Sequence, residues 1–262
     1  MSARYFDTHC HLASDRFSDD ADRVIAESLA AGVRMLTVAG DVASSRKSVE
    51  LAERHDGVWA AVGVHPNDAG NLDGEGWREI TELARAPSVA AIGETGLDYY
   101  WKDVPEDVQK KWFEKHIELA LETGKPLSVH ARDSVADVLA MLEPHLARGL
   151  KAVWHCFVAG KKHIGPALEF AVANRLYLAV GGLATFEDQK PLRNHAPLIP
   201  DDLLLLETDA PYLSPRPKTS NRNDPRGVIR VAKALAELRG VTPEEIARIT
   251  TRNAELVLGL TP

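Results

Sequence analysis

Two histidines separated by a single residue, His9 and His11, follow a short apolar run near the start of the sequence. Alternate side chains of an extended strand lie on the same face, so both imidazoles would face one way and Cys10 the other. Neutral imidazole binds zinc, manganese and iron. An isolated His-x-His pair is more often a polar strand end than a metal site, so its interpretation depends on the residues that accompany it.

Five more residues that can bind a metal or accept a proton lie at the ends of apolar runs or just after them. They are His65, Glu94, His130, His155 and Asp209. A satisfied buried histidine, or an acid that caps a helix, would explain most of these positions one at a time. Glu94 is harder to explain, because it follows the apolar residues 90–93 and a buried carboxylate without a partner is costly. Together these residues predict a metal centre.

The number of candidate ligands predicts two divalent metal ions. The His-x-His pair and Asp209 would hold one ion. His130 and His155 would hold the other, with Glu94 bridging the two. Two ions roughly 3.5–4 Å apart can bind the attacking and leaving oxygens of a displacement and generate hydroxide near neutral pH. Mixed imidazole and carboxylate ligands suit Mg²⁺, Mn²⁺ and Zn²⁺, so the identity of the metal stays open.

Eight short apolar runs alternate with helical patterns and predict the strands that position these residues. The predicted strands span residues 4–9, 34–39, 58–63, 89–94, 127–130, 151–155, 176–181 and 203–207. Eight strands that alternate with helices in 262 residues predict an α/β fold, the (β/α)₈ TIM barrel. The metal site would lie at the C-terminal face of the strands, where their ends converge. No linker-like composition interrupts the pattern, so we expect a single TIM-barrel metallohydrolase domain over residues 1–262.

The composition limits the environment and the partners of the chain. Its net charge of −7 disfavours broad, sequence-independent binding of nucleic acid, although a small site remains compatible with it. No apolar stretch approaches the roughly 18 residues of a transmembrane helix, and the N-terminus lacks the apolar segment of a secretion signal. We therefore expect a cytoplasmic protein without membrane contact, with Cys10 and Cys156 as reduced thiols that face away from the site. Nothing in the sequence points to an obligate protein partner.

Six motifs carry a family resemblance. They are Phe6-Asp7-Thr8-His9-Cys10-His11-Leu12, Gly63-Val64-His65-Pro66, Gly93-Glu94-Thr95-Gly96-Leu97-Asp98-Tyr99-Tyr100, His130-Ala131-Arg132, His155-Cys156-Phe157 and Glu207-Thr208-Asp209-Ala210-Pro211-Tyr212-Leu213. In this order they resemble the signature blocks of the TatD family of metal-dependent deoxyribonucleases, which are amidohydrolase-like TIM barrels. The C-terminal Thr250-Thr251-Arg252-Asn253 also matches, so the resemblance covers nearly the whole chain.

The resemblance implies a function and a set of site residues. The function is hydrolysis of DNA phosphodiester bonds by a metal-activated water, often as a 3′→5′ exonuclease on single-stranded DNA. The implied metal ligands are His9, His11, Glu94, His130, His155 and Asp209. His65 would approach the substrate phosphate or a further ion. Glu207, on the same strand face as Asp209, would either bind an additional metal or orient one of the ligands.

Two segments depart from the pattern of the family. Val158-Ala159-Gly160 stands where a Ser-Gly pair is common, and Thr219-Ser220-Asn221 stands where Arg-Gly-Lys is common. The second change removes two cationic positions near a phosphate site. We therefore expect a lower phosphate affinity or a different substrate length, unless the cations of the same loop, Arg216, Lys218 and Arg222, compensate.

For the reaction itself, we expect Asp209 to act as the general base, because it is a ligand near the attacking water. Arg132 would stabilise the phosphate through its planar donors. Tyr99, Tyr100 and Trp101 would either stack an unpaired base at the mouth of the barrel or pack within their own loop.

Two other functions stay open. The same centre would also hydrolyse an amide, a lactone or an aminoacyl ester, because a bridging hydroxide attacks a carbonyl as well. Many barrels of that kind bridge their metals with a modified lysine, and no predicted strand ends in lysine here, which favours the nuclease. A binding or scaffold protein without catalysis is the third alternative, and the intact ligand set argues against it.

Overall fold

The computed structural model describes residues 5–218 and 220–260, and eight parallel strands in sequential order form its single sheet. The strands are β1 (Tyr5–Cys10), β2 (Val33–Val38), β3 (Val58–Val62), β4 (Val89–Asp98), β5 (Leu127–Arg132), β6 (Ala152–Trp154), β7 (Tyr177–Val180) and β8 (Leu204–Leu206). All eight predicted strands are present, and the predicted TIM barrel is confirmed. The first predicted strand begins at residue 4, which lies outside the described residues.

Backbone hydrogen bonds close the barrel between its first and last strands. Cys10 and Ala210 form a parallel bridge just beyond the end of β8. The N–H of Asp209 donates to the carbonyl of His9 at 2.8 Å, and the N–H of His11 donates to the carbonyl of Ala210 at 2.6 Å. This seam brings the His-x-His pair beside Asp209, although almost the whole chain separates them.

Strand β4 is longer than the sequence predicts, and this corrects the position of Glu94. The predicted strand stops at Glu94, whereas β4 continues to Asp98 and residues 95–98 pair with residues 129–132 of β5. The register between β4 and β5 shifts between Ile92 and Thr95. Glu94 therefore lies within β4, at the register shift, and not at the end of the strand. The apolar run alone does not locate the end of β4, because the last buried residues of this strand include polar ones.

Nine helices of the described residues surround the sheet. They are α1 (Ala21–Ala30), α2 (Val42–Arg54), α3 (Gly74–Leu83), α4 (Glu106–Thr123), α5 (Val135–Leu146), α6 (Ile164–Ala173), α7 (Lys190–His195), α8 (Gly227–Arg239) and α9 (Pro243–Leu258). In α9, Val257 and Leu258 share a buried cluster with Phe6 of β1 and Leu205 of β8. None of these helices is both long enough and apolar enough to cross a bilayer.

Candidate metal centre

The seven histidines and acids predicted at strand ends come together at one end of the barrel. They come from six strands or the residues just after them: His9, His11, His65, Glu94, His130, His155 and Asp209. A nitrogen or oxygen atom of each lies within 3.7 Å of a ligating atom of another member. The barrel thus gathers side chains that are far apart in the sequence into one polar cluster within an apolar interior.

Glu94 stands at the centre of this cluster and uses its two oxygens differently. Its Oε1 lies 2.9 Å from His130 Nδ1 and 2.9 Å from His155 Nε2. Its Oε2 lies 3.4 Å from His9 Nε2 and 3.7 Å from His11 Nε2. Burial alone would raise the pKa of Glu94, but the surrounding imidazoles hold it well below its ordinary value. An ionised carboxylate therefore lies between two pairs of histidines.

The donor set on the His-x-His side fits a divalent cation. The carbonyl of Val38 lies 2.9 Å from His11 Nδ1 and accepts its proton, which leaves His11 Nε2 as the nitrogen that would bind an ion. That nitrogen is 3.2 Å from His9 Nε2 and 3.2 Å from Asp209 Oδ1. Burial lowers the pKa of His9 to about 4, so this imidazole is neutral at pH 7. Imidazole nitrogens and carboxylate oxygens that converge in this way are the ligands that Zn²⁺ and Mn²⁺ accept.

Asp98 was not singled out from the sequence, although it belongs to one of the family motifs. Its Oδ2 lies 3.0 Å from His130 Nε2, so this carboxylate accepts the Nε2 proton and leaves Nδ1, which lies 2.9 Å from Glu94 Oε1, as the nitrogen that would bind an ion. Burial alone would raise the pKa of Asp98, but the hydrogen bond to His130 lowers it to about 2. Apart from that motif, the only signal in the sequence is an acid four residues after Glu94, within what the structure shows to be the same strand.

His65 differs from His11 and His130 in the hydrogen bond that its outward nitrogen makes. The N–H of Asn67 donates to His65 Nδ1 at 3.1 Å, and burial lowers the pKa of this histidine to about 3. A neutral ring that accepts at Nδ1 carries its proton on Nε2, which lies 3.7 Å from Glu94 Oε1. His65 therefore offers a hydrogen-bond donor to the centre, whereas the nitrogens of His11 and His130 that face it are the ones that would bind an ion.

Glu207 is fully buried beside His155. Its Oε1 accepts the N–H of Cys156 at 2.6 Å and lies 3.5 Å from His155 Nδ1. Burial raises the pKa of Glu207. Within the part of the chain that the structure describes, Glu207 belongs to none of the groups of three residues whose ligand atoms could share an ion. Its position fits the orientation of His155 better than an additional metal.

The two cysteines are both free, and one of them differs from expectation. The thiol of Cys10 is buried and donates to the carbonyl of Leu36, away from the histidines. Cys156 is partly exposed and lines the cleft next to the centre, so the prediction that both thiols face away is wrong for it. The chain turns at Cys156 with a φ of 48°, a backbone conformation that alternation along a strand does not anticipate.

A cleft of about 740 Å³ opens beside the centre. His130, His155 and Asp209 line it, together with Tyr99 and Arg132. The Tyr99 hydroxyl donates to Asp137 Oδ2 at 2.7 Å, so this ring packs into the wall of the cleft.

The next two aromatic residues behave differently from Tyr99. Tyr100 is 52% exposed and Trp101 is 49% exposed, and their rings meet edge to face at 5.1 Å. The guanidinium carbon of Arg132 lies 3.8 Å from the centre of the Tyr100 ring. Only the second and third residues of the aromatic run are therefore available to a ligand in solution.

The segments that depart from the family pattern have their own surroundings. Val158 and Ala159 form part of the cleft wall and give it an apolar surface. Arg222 forms an ion pair with Asp20 at 2.7 Å, and Arg216 stacks over the ring of Phe186. Neither of these guanidinium groups is without a partner, while Thr219 lies outside the described residues.

An eight-stranded parallel barrel with histidines and carboxylates gathered at one end of its strands defines a metal-dependent hydrolase of the TIM-barrel class. The family model described as "TatD related DNase" matches residues 6–259. The chain belongs to the TatD family.

Individual relatives agree with this assignment over nearly their whole length. An uncharacterized metal-dependent hydrolase from Bacillus subtilis, YabD, is 38% identical over 95% of this chain and 97% of its own. The 3′-5′ ssDNA/RNA exonuclease TatD of Citrobacter rodentium is 36% identical over 98% of each chain. The crystal structure of YJJV, a TatD homolog from Escherichia coli K12, superposes with a TM-score of 0.91 at 27% identity and covers 100% of both chains.

Proposed function

We propose that this chain is a deoxyribonuclease that removes nucleotides from the 3′ end of single-stranded DNA with two divalent metal ions. The observation that carries the proposal is the position of Glu94, whose two oxygens face two separate pairs of histidines. A carboxylate in that position is suited to bridge two ions. The Citrobacter relative, named as a 3′-5′ ssDNA/RNA exonuclease, supports the choice of substrate.

The proposed division of ligands follows from these distances. His9, His11 and Asp209 would hold one ion. His130 and His155 would hold the other. Bound there, the ions would polarise the phosphodiester and lower the pKa of a water to near neutrality. Mg²⁺, Mn²⁺ and Zn²⁺ are the candidates.

Asp209 is the best-placed general base. Both Asp209 and Glu94 are acids of the centre, but the side chain of Glu94 is only 4% exposed and is surrounded by histidines. Asp209 lines the cleft, so its carboxylate can accept a proton from a water that attacks a bound substrate. Burial alone would raise the pKa of Asp209, but the hydrogen bond to His11 lowers it, which keeps this acid ionised and able to accept a proton near pH 7.

Other residues would bind the DNA. His65 carries an N–H that faces the centre and can donate to a phosphate oxygen. Arg132 can donate to the same phosphate or to the next one along the strand. Tyr100 is exposed and can stack on an unpaired base, with Trp101 beside it, whereas Tyr99 shapes the wall of the cleft.

An exonuclease assay tests the proposal. Single-stranded DNA labelled at its 5′ end is incubated with the purified protein and Mg²⁺, Mn²⁺ or Zn²⁺, and in parallel with chelator. We expect stepwise shortening from the 3′ end that needs metal. Asp209→Asn should reduce the rate by about 10²–10⁴-fold, the usual contribution of a general base. Asp202→Asn, which changes an exposed acid paired with Arg175, is the matched control and should leave the rate unchanged.

Two results would contradict the proposal. If no DNA is shortened with any of the metals, while esters, lactones or amides are hydrolysed in a metal-dependent way, the chain is a carbonyl hydrolase with the same centre. If calorimetry detects no binding of Mn²⁺ or Zn²⁺, the centre itself is wrong.

A further inference from the structure

The loop between β4 and α4 is fixed by one buried side chain. Gln109 of α4 accepts the N–H of Asp98 at 2.8 Å through its Oε1. Its Nε2 donates to the carbonyls of Asp98 and Val104, both at 3.0 Å. Gln109 is almost completely buried, so water does not compete for these bonds. The two ends of the loop that carries Tyr100 and Trp101 are therefore held together.

Asp98 connects this loop to the metal centre. Its Oδ1 accepts the backbone N–H groups of Tyr100 at 3.0 Å and Trp101 at 3.1 Å. Its Oδ2 accepts the Nε2 proton of His130 at 3.0 Å. The carboxylate is buried and both of its oxygens are used. One side chain thus contacts a candidate metal ligand and the backbone of the exposed aromatic pair.

The hydrogen bonds of Asp98 affect how the exposed aromatic pair can bind a base of the substrate. Exposed aromatic side chains on a free loop would have to be ordered when a base stacks on them. Here the backbone of Tyr100 and Trp101 is already fixed, and Arg132 covers one face of the Tyr100 ring at 3.8 Å. A base stacked on this pair would lie at a constant distance from His130, because the same carboxylate holds both.

We propose that Asp98 is a positioning residue with two effects. It keeps the Nδ1 atom of His130 facing the metal centre, and it holds Tyr100 and Trp101 at a fixed place relative to that centre. The base that stacks on the aromatic pair then determines which phosphodiester bond reaches the ions. The second effect rests on the proposed nuclease function, whereas the first requires only that the centre binds metal.

The two effects can be separated by substitution, because they use different atoms. Asp98→Asn keeps an oxygen for the two loop N–H groups, but its NH₂ group then faces His130 Nε2. His130 must accept that bond and carry its proton on Nδ1, where it blocks metal binding. Gln109→Ala loosens the loop and leaves the hydrogen bond to His130 in place. Asp98→Ala removes both connections.

Two binding measurements report on the two effects without any turnover. Calorimetric titration of the metal-free protein gives the Kd for Mn²⁺. Fluorescence anisotropy of a labelled oligo(dT) in the presence of chelator gives the Kd for single-stranded DNA. Circular dichroism checks that each variant folds, and Asp202→Asn is the matched control for replacing an acid by an amide.

We expect Asp98→Asn to weaken Mn²⁺ binding about 10–100-fold, as loss of a residue that orients a ligand does, with oligonucleotide binding unchanged. Gln109→Ala should weaken oligonucleotide binding about tenfold, through the loss of base stacking, with Mn²⁺ binding unchanged. Asp98→Ala should weaken both. If it does not fold, the opposite responses of the other two variants carry the test.

Three results would overturn the proposal in whole or in part. Wild-type Mn²⁺ affinity in Asp98→Asn excludes the effect on His130. Wild-type oligonucleotide affinity in both Asp98→Ala and Gln109→Ala excludes the effect on the loop. If the wild-type protein neither binds nor cleaves DNA while Asp98→Asn still weakens Mn²⁺ binding, the proposed nuclease function fails together with the loop effect, and the role toward His130 stands.

Discussion

Three histidines at the centre show how a single hydrogen bond assigns a chemical role to an imidazole. His11 donates to the carbonyl of Val38, and His130 donates to Asp98, so each directs its other ring nitrogen inward, where it would bind an ion. His65 accepts from the N–H of Asn67 and presents a proton inward. Residue type alone makes these histidines equivalent. Their partners divide them into two that can bind a cation and one that can donate to an anion.

Arg132 gives a prediction that depends on the shape of its side chain. Arg132→Lys keeps the positive charge but loses the planar group that stacks on Tyr100. We expect the KM for single-stranded DNA to rise about three- to tenfold, because stacking and paired donors are lost, with kcat within a factor of about two. Steady-state kinetics on a labelled oligonucleotide measures both quantities. Arg175→Lys, at an exposed ion pair, is the control.

A fall in kcat with an unchanged KM would contradict this prediction. It would mean that Arg132 contacts the phosphate only in the transition state.

At the scale of elements, the approach of β4 to β5 depends on one glycine. Gly96 has a φ of 140°, and a Cβ added there would lie 2.1 Å from the carbonyl oxygen of His130. An alanine would therefore separate the two strands exactly where Glu94 and His130 meet.

We expect Gly96→Ala to lower the free energy of unfolding by at least about 2 kcal/mol, from backbone strain and overpacking. Urea denaturation measures the change. Gly149→Ala is the matched control, because its φ is 92° but a Cβ there would contact nothing within 4 Å. Equal losses in the two variants would show that backbone strain alone, and not the contact with β5, limits position 96.

Helix α4 is joined to the end of β3 by a buried histidine. His116 Nδ1 donates to the carbonyl of Trp112 at 2.7 Å, and its Nε2 accepts the N–H of Val64 at 3.1 Å. The bond from Val64 requires the neutral ring, because a protonated Nε2 has no lone pair to accept it. Burial lowers the pKa of His116 to about 4, below its ordinary value of about 6.5.

This lowered pKa gives a prediction for stability against pH. Between pH 6.5 and about 4 the unfolded chain binds a proton at His116 that the folded chain does not, so the free energy of unfolding falls as the pH falls. His116 contributes up to roughly 3 kcal/mol to this fall. Urea denaturation of wild type and His116→Gln should give a shallower fall for the variant. At pH 8 the difference between the two free energies of unfolding measures the loss of packing and hydrogen bonds without any titration of His116. Parallel curves below pH 6.5 would contradict the lowered pKa of His116.

At the scale of the whole molecule, the metal centre joins both ends of the chain. Its proposed ligands come from β1, from the middle strands and from the residues after β8, so ions bound there would stabilise only the closed barrel. Metal at about 100 times its Kd should raise the free energy of unfolding by about 2.7 kcal/mol. For a chain of this size we expect Tm to rise by roughly 5–11 °C.

Differential scanning calorimetry with Mn²⁺ and with chelator checks this expectation. Asp209→Asn removes one proposed ligand near the seam and should show a smaller rise. An equal rise in wild type and variant would place the bound ion outside the proposed centre.

Several features followed from the sequence alone. The count of eight strands and the barrel came from the alternation of apolar runs with helical patterns, which is a local property of the chain. The six motifs indicated that the chain belongs to the TatD family and which residues are expected to bind metal. Because each candidate ligand lay next to an apolar run, the sequence also indicated that these residues share one end of the barrel, and the structure brings them together.

Other features required the tertiary structure. The extension of β4 beyond Glu94, the exposure of Cys156 to the cleft and the packing of Tyr99 into its wall all depend on neighbouring strands and helices. The tertiary structure also decides which ring nitrogen of each imidazole is directed at the centre. The partner of His130 is 32 residues away in sequence and that of His11 is 27 residues away. A hydrogen bond between such distant residues leaves no periodic trace in the sequence, so only the folded chain decides which nitrogen faces the metal.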